Sequence, residues 1–203
     1  EGFKEKYGME YRRAYWDEKP DLGFVEHHER QIFPLLRRRW LFAGVENFSL
    51  YDFTAAGDVD DNVYAFSNGP SEQKHLVVFN NGPHTTSGRL HEAAPKASPD
   101  NEGGAHPMPP LWQELGLDPA SGKFCRFQDQ STGLEYLCRT DALQQGLELH
   151  LSAYQHHVFH NFMMRITTGR SCSTGSRDIR SPTSTLRCCG CVTPPCGRVL
   201  PPC

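Results

Sequence analysis

The chain has 203 residues, a formal net charge of -3 and a mean hydropathy of -0.58. This length allows one complete domain, or one domain with part of another. No apolar run approaches the roughly 18 residues that a membrane-spanning helix needs. Residues 165–203 carry six Arg and one Asp, whereas residues 1–164 carry 15 Lys and Arg against 23 Asp and Glu. An acidic body argues against nucleic-acid binding, which requires a basic face.

The first residues, EGFKEKYG, contain no apolar stretch of the kind found in signal peptides. We therefore expect a cytoplasmic rather than a secreted protein. The sequence also lacks an initiating Met, so we expect it to begin inside a longer protein. Cys125 and Cys138 lie in strand-like surroundings, and we expect them to be small buried hydrophobes.

Residues 1–21 are rich in aromatic and charged side chains. The aromatic residues at helix-compatible spacing are Tyr7, Tyr11, Tyr15 and Trp16. Two interpretations remain open: these rings pack on a larger body, or they form platforms for sugar rings. We favour packing, because most aromatic side chains serve it.

The next segment changes from a helical to a strand-like period. Residues 22–33 are predicted to be helical, and Pro34 kinks that helix or begins a second one. Gly44 is typical of a helix end. Residues 47–53 alternate as a strand does. Phe48, Leu50 and Asp52 fall on one face of that strand, and Ser49, Tyr51 and Phe53 fall on the other.

Short strands follow along the chain. Residues 62–68 and 75–81 flank a turn and predict a β-hairpin. Residues 82–122 are predicted to be a long loop, functional or peripheral, with a short helix at 110–117. The remaining predicted elements are strands at 123–128, 133–139, 147–151 and 154–162, and a turn or short helix at 140–146. Short antiparallel strands at these spacings favour a β-sandwich.

Three clusters suggest metal sites, but each has a simpler interpretation. Two imidazoles, His156 and His160, would share a strand face near His157, yet exposed histidines on an edge strand are the favoured interpretation. The aspartates Asp52, Asp58, Asp60 and Asp61 lack the spacing of a calcium loop, so an acidic surface turn is favoured. The tail cysteines lack paired zinc knuckles. They are Cys172, Cys188, Cys189, Cys191, Cys196 and Cys203.

Several stretches, in this order, resemble the C-terminal portion of an α-amylase-like glycoside hydrolase of family thirteen. They are EGFKEKYGMEYRRAYWDE, HHERQIFPLLRRRWLFAGVENFSLYDF, NVYAFSN, HLVVFNN, TGLEYL and SAYQHHVF. The resemblance runs from Glu1 to about Phe162. It implies that Glu1 follows the eighth strand of a (β/α)8 barrel, that residues 22–42 supply the last barrel helices, and that residues 48–162 form the β-sandwich that follows the barrel.

The resemblance also implies retaining cleavage or transfer of α-glucans by two carboxylates, with a second Asp that holds substrate hydroxyls. In the family these acids follow strands four, five and seven, all upstream of this sequence. No residue of this chain is therefore expected to be catalytic, and no metal or cofactor is expected. The residues that the resemblance places near the rim of the active site are Glu1, Lys4, Glu5 and Tyr7.

The predicted fold class is α+β: terminal barrel helices at 1–44, an antiparallel β-sandwich at 45–164, and a disordered Cys-rich tail at 165–203. The likeness ends after Phe162, and we hypothesise that the tail is an out-of-frame or chimeric translation. The predicted function is an inactive C-terminal fragment that stabilises the barrel of an enzyme acting on α-glucan or maltooligosaccharide. Its expected partner is the missing barrel portion of the same protein. The alternative is a non-catalytic carbohydrate-binding β-domain. A metal-binding protein built on the Cys tail is a third possibility.

Overall fold

The computed structural model describes residues 19–96, 108–119 and 123–166, with only the main chain at 165 and 166, and the main chain of 186–189. It divides into two units, Glu1–Trp40 and Leu41–Cys203. The described part is mixed α and β and consists mostly of antiparallel sheet. None of the helices in the described residues is long and apolar enough to cross a membrane.

The described part of the first unit is helical. Helix α1 covers Leu22–His27, a π-helical turn covers His28–Ile32, and α2 covers Phe33–Arg37. Asp21 caps α1, because its side chain accepts a hydrogen bond from the amide of Phe24 at 3.1 Å. Pro34 lies in the first turn of α2, where its missing N–H costs nothing. The predicted helix is therefore present, and Pro34 opens a second one.

A 3-10 turn, Arg39–Phe42, joins the helices to the strands. The strands are β1 Ser49–Ala55, β2 Asp58–Val59, β3 Val63–Asn68, β4 His75–Asn80, β5 Thr86–Ala93, β6 Lys123–Asp129, β7 Glu135–Arg139, β8 Leu147–Leu151, β9 His156–Ile166 and β10 Leu186–Cys189. Two short helices, α3 Leu111–Glu114 and α4 Thr140–Leu143, lie between strands. The predicted hairpin of β3 and β4 and the predicted pair of β6 and β7 are both confirmed.

The strands form one hydrogen-bonded sheet in the order β10-β7-β6-β9-β4-β3-β1-β5-β8, with β2 added to β1. The neighbours pair antiparallel, except that β10 runs parallel to β7. The sheet curls as a half-barrel around one apolar core, and we call the core side its inner face. A two-layer sandwich and the barrel helices therefore stay predictions.

Alternation along the strands decides which face each side chain occupies. In β1, Ser49, Tyr51 and Phe53 are buried, whereas Leu50 and Asp52 are exposed, as the sequence predicts. In β8 the three leucines are buried, also as predicted. Cys125 and Cys138 are buried in the core, which confirms their prediction as small hydrophobes.

Two predicted segments differ from the structure. Residues 82–122 are not a long loop broken by one short helix, because β5 crosses the start of this stretch. The short helix predicted at 110–117 is confirmed as α3. Residues 186–189 were expected to be disordered, yet their main chain pairs with β7. Leu186–Cys189 contains neither Gly nor Pro, so its main chain can pair with that strand.

Gly146 precedes β8 and lies close to the main chain of β5, so that a side chain at this position would clash. Its φ is +93, and a Cβ there would lie 2.4 Å from the main-chain oxygen of Leu90. Gly57 has a similar φ of +98 but nothing within 4 Å. We expect Gly57→Ala to lower the free energy of unfolding by about 1–2 kcal/mol, the cost of the left-handed backbone. Gly146→Ala should cost about 1–3 kcal/mol more, because the methyl group must displace the strand.

Urea denaturation of both variants beside the parent chain measures this difference. Equal losses in the two variants would contradict the close approach of Gly146 to β5.

Candidate functional site

The residues that the resemblance places at the active-site rim, Glu1, Lys4, Glu5 and Tyr7, lie outside the described residues. The same holds for the aromatic residues of the first segment and for the tail cysteines other than the main chain of Cys188 and Cys189. Among the described residues of the sheet unit, one cluster of buried polar side chains is built on Asp129 and another on Ser49, Tyr51 and Ser67.

The first cluster is built on Asp129 at the end of β6. Its Oδ1 accepts hydrogen bonds from the amides of Ser131 at 3.0 Å and Val158 at 3.2 Å. Its Oδ2 accepts from the Thr132 hydroxyl at 2.7 Å and lies 2.8 Å from Nδ1 of His157. A carboxylate offers about four acceptor positions, so these donors fill them. Asp129 therefore fastens the β6–β7 turn and β9 to β6.

The tautomer of His157 follows from this contact. A carboxylate only accepts, so Nδ1 of His157 carries the proton. Its Nε2 then accepts from the Gln155 side-chain amide at 3.2 Å, and Gln155 Oε1 accepts from the amide of Ser152 at 2.8 Å. The ring also stacks on Phe159 with centroids 5.3 Å apart. This chain of hydrogen bonds ties the turn before β9 to the core.

Opposing effects set the charge of Asp129. Burial favours the neutral acid, but the hydrogen bonds from His157, Thr132 and Ser131 together lower its pKa. Asp129 is therefore ionised at neutral pH, and its acceptor positions are occupied. This arrangement suits a structural lock better than a general base, which needs access to a substrate proton.

The histidines that suggested a metal cluster are separated in the structure. His157 turns inward to Asp129, whereas His160 stacks on His75 with centroids 5.9 Å apart. The favoured interpretation of exposed histidines on an edge strand is wrong for His157 and His160, because both are buried and β9 lies between β6 and β4. Within the described ranges no three His, Cys, Asp or Glu side chains are arranged to hold a metal ion.

The second buried cluster lies on the inner face where β1 begins and β3 ends. The Tyr51 hydroxyl lies 2.7 Å from the Ser67 hydroxyl, and the Ser49 hydroxyl donates to Glu114 of α3. Burial raises the pKa of Tyr51 well above its ordinary value, so its hydroxyl stays neutral. The Ser49–Glu114 hydrogen bond attaches α3 to the sheet.

Two lysines surround the carboxylate of this cluster. Lys96 Nζ lies 3.2 Å from Glu114. Lys74 is nearly buried, and burial lowers its pKa, an effect that Glu114 opposes and Lys96 reinforces. The Glu114 carboxylate thus pairs with Lys96 and interacts electrostatically with Lys74.

The acidic stretch of the sequence forms a surface turn, as favoured. Asp58 lies in β2, and the Asp60 carboxylate accepts from the amide of Asn62 at 3.1 Å. Hydrogen bonds from Thr86 and Asn62 lower the pKa of Asp60. The carboxylate of Asp60 therefore closes its own turn.

Sequence reasoning missed both buried clusters. The order Asp-x-Ser-Thr-Gly at 129–133 is a visible turn signature, because an Asp side chain often binds amides that follow it. Its distant partner His157, and the pairing of Ser49 with Glu114, depend on tertiary contacts that carry no local signal.

Comparisons with known proteins leave the family open: no protein-family model matches the chain, and the search of curated proteins finds no match.

Replacing Asp129 with Asn should destabilise the protein strongly. The amide removes the charge beside His157 and brings a donor group among donors, so we expect a loss of about 3–5 kcal/mol in the free energy of unfolding. The control is Asp141→Asn, since Asp141 bonds Arg139 at 3.0 Å on the surface. There we expect a loss below about 1 kcal/mol.

The difference between the parent and Asp129→Asn should also depend on pH. The folded pKa of Asp129 lies below the ordinary 3.8. Its stabilisation is therefore complete above about pH 4 and is lost as the pH falls through the folded value. Denaturation curves from pH 7 to pH 3 measure the difference in free energy of unfolding between the two proteins. A difference that grows on acidification would contradict a stabilising role for the ionised Asp129.

Proposed function

We propose that this chain is the C-terminal portion of an α-amylase-like glycoside hydrolase, in which the sheet unit stabilises the catalytic barrel and the chain alone is inactive. In this proposal the curled sheet is the β-sandwich that follows the barrel. The support from the sequence is the ordered series of stretches that resemble this family. The support from the structure is the exposure of apolar side chains on the helical segment.

That helical segment exposes its apolar side chains, and this is the observation that carries the proposal. Leu36 is 57% exposed and Trp40 is 60% exposed, and Leu22, Phe24 and Phe33 are also exposed. None of the residues of α1, the π-helical turn or α2 is buried. Phe33 and Leu36 are spaced three residues apart on one face of α2, and Trp40 lies in the 3-10 turn that follows.

An amphipathic helix is stabilised mainly by packing its apolar face. A contiguous exposed apolar face is typical of a surface that other structure covers. The resemblance identifies that structure as the earlier elements of the barrel. The proposed role of the segment is therefore to close the barrel, and the proposed partner is the remainder of the same protein.

Catalytic inactivity of the chain alone follows from the same resemblance. Both catalytic carboxylates of the family belong to barrel strands upstream of Glu1. The buried carboxylate of Asp129 is fully engaged by its own turn and by β9. In the proposal it maintains the sheet and takes no part in sugar chemistry.

Release of reducing sugar from maltooligosaccharides tests this proposal. We expect no release by the purified chain, and release by a longer protein that includes the upstream coding sequence. A matched control is the longer protein with its barrel carboxylates changed to amides, which should be inactive. Activity of the chain alone would refute the proposal.

A second candidate function, carbohydrate binding by the sheet unit itself, is favoured by one observation. Tyr64 of β3 is 57% exposed on the outer face of the sheet, opposite Phe79 of β4. An exposed tyrosine ring on a sheet can stack on a sugar ring through its apolar body and bond a hydroxyl through its tip.

Titration of maltoheptaose onto the purified chain, followed by calorimetry, tests the second candidate. If the sheet binds sugar, Tyr64→Ala should weaken binding at least about tenfold, which corresponds to about 1.4 kcal/mol. Tyr64→Phe keeps the ring and should retain most of the affinity. No heat of binding, or equal binding by both variants, would exclude this surface.

A further inference from the structure

We propose that Cys125 and Cys138 form a cross-strand disulfide when the protein meets a low-molecular-weight disulfide such as oxidised glutathione. These two cysteines occupy directly opposite positions of the antiparallel strands β6 and β7. Both are thiols in the structure. This inference does not depend on the proposed function.

The backbone geometry meets the requirement for a disulfide. Opposite residues of an antiparallel pair have Cα atoms about 4.5 Å or about 5.5 Å apart, depending on whether they exchange hydrogen bonds. Disulfides usually span about 4.4–6.8 Å between Cα atoms. Either kind of pair therefore fits.

The side chains lie on the same face of the hairpin. Cys125 is 0% exposed and Cys138 is 4% exposed, and both belong to the apolar core with Phe127 and Tyr136. Residues opposite each other in a ladder project to the same side of the sheet. The two sulfur atoms therefore share one region of the core.

Burial favours a disulfide over a thiophilic metal at this pair. A metal held by two thiolates would leave a charged group in the apolar core, which is costly. A disulfide is neutral. Met164 of β9 lies opposite Cys125 on its other side, and as a thioether it is compatible with a neutral, apolar product.

The exchange is balanced in atoms and electrons. One thiolate attacks oxidised glutathione and releases one glutathione as a mixed disulfide forms. The second thiolate then displaces the other glutathione, and two S–H bonds are replaced by one S–S bond. The two protons and two electrons leave with the two glutathione molecules.

Burial also limits the rate at which Cys125 and Cys138 react with oxidised glutathione. The apolar core excludes the reagent from both thiols. Reaction therefore requires local opening of the β6–β7 hairpin, so we expect it to be slow compared with reaction at exposed thiols.

The test uses the full chain with its tail cysteines changed to serine, so that only Cys125 and Cys138 remain. The changed positions are Cys172, Cys188, Cys189, Cys191, Cys196 and Cys203. After incubation with oxidised glutathione, the protein is alkylated and digested with trypsin without reduction. Cleavage after Lys123, Arg126 and Arg139 separates the two cysteines. Mass spectrometry should find peptides 124–126 and 127–139 joined, with two hydrogens lost.

Stability supplies an independent measurement on the same samples. A cross-link that closes a loop of this length should raise the Tm by about 5–10 °C, and reduction with a dithiol should reverse the rise. Cys138→Ala, which cannot cross-link, should show no rise on oxidation.

On the chain that keeps only Cys125 and Cys138, two results would overturn the proposal. One is glutathione attached separately to either cysteine of the folded protein, with no joined peptide. The other is an absence of reaction under conditions in which the urea-unfolded chain forms the cross-link. A joined peptide between residues 138 and 189, in a chain that retains Cys189, would also overturn it, because β10 places the main chain of Cys189 opposite Cys138.

Discussion

The sheet depends on β9, the strand that joins its two parts. β9 pairs with β4 on one side and with β6 on the other, although about thirty residues or more separate it from either partner along the chain. The hydrogen bonds of Asp129 with Val158 and His157 fix where β9 begins beside β6. A one-residue slip of this strand would move Phe159 out of the core. The buried Asp129–His157 contact makes such a slip costly, because the charged carboxylate would lose its two donors from β9.

The alternation of apolar and polar residues along the sequence predicted the strands whose burial depends on neighbouring residues alone. The alternation of Ser49, Tyr51 and Phe53 with Leu50 and Asp52 predicted which face of β1 is buried, because a strand with one solvated face must alternate. The β3–β4 hairpin was visible for the same reason. The buried role of His157 was not visible, because histidine is buried only where a partner such as Asp129 satisfies it. Asp129 belongs to the β6–β7 hairpin, which is distant from His157 along the chain.

The missed strand β5 shows where composition misleads. Ser87, Gly88, Arg89 and His91 lack the apolar alternation of a strand, and the sequence around them is typical of a loop. The sheet nevertheless pairs β5 with both β1 and β8. Gly88 is needed there, because a Cβ would lie 2.4 Å from the main-chain oxygen of Thr54. The residue that looked like a loop signal instead permits close approach of two strands. The sequence could therefore predict an antiparallel α+β chain, but not the order of its strands, nor the curl that makes one sheet of them.

The two units differ in whether each one buries its own apolar side chains. The sheet unit encloses a core that includes Phe53, Phe127 and Phe159. The helices α1 and α2 have no buried residue and expose Leu22 and Leu36. Helical segments of this length are marginal in water without a packed face. The sheet unit therefore has the means to fold by itself, whereas the helical segment requires a surface that covers it. A chain that is only a sugar-binding sheet would gain nothing from such a segment. The barrel proposal gives it a partner, and this difference is the physical reason to prefer that proposal.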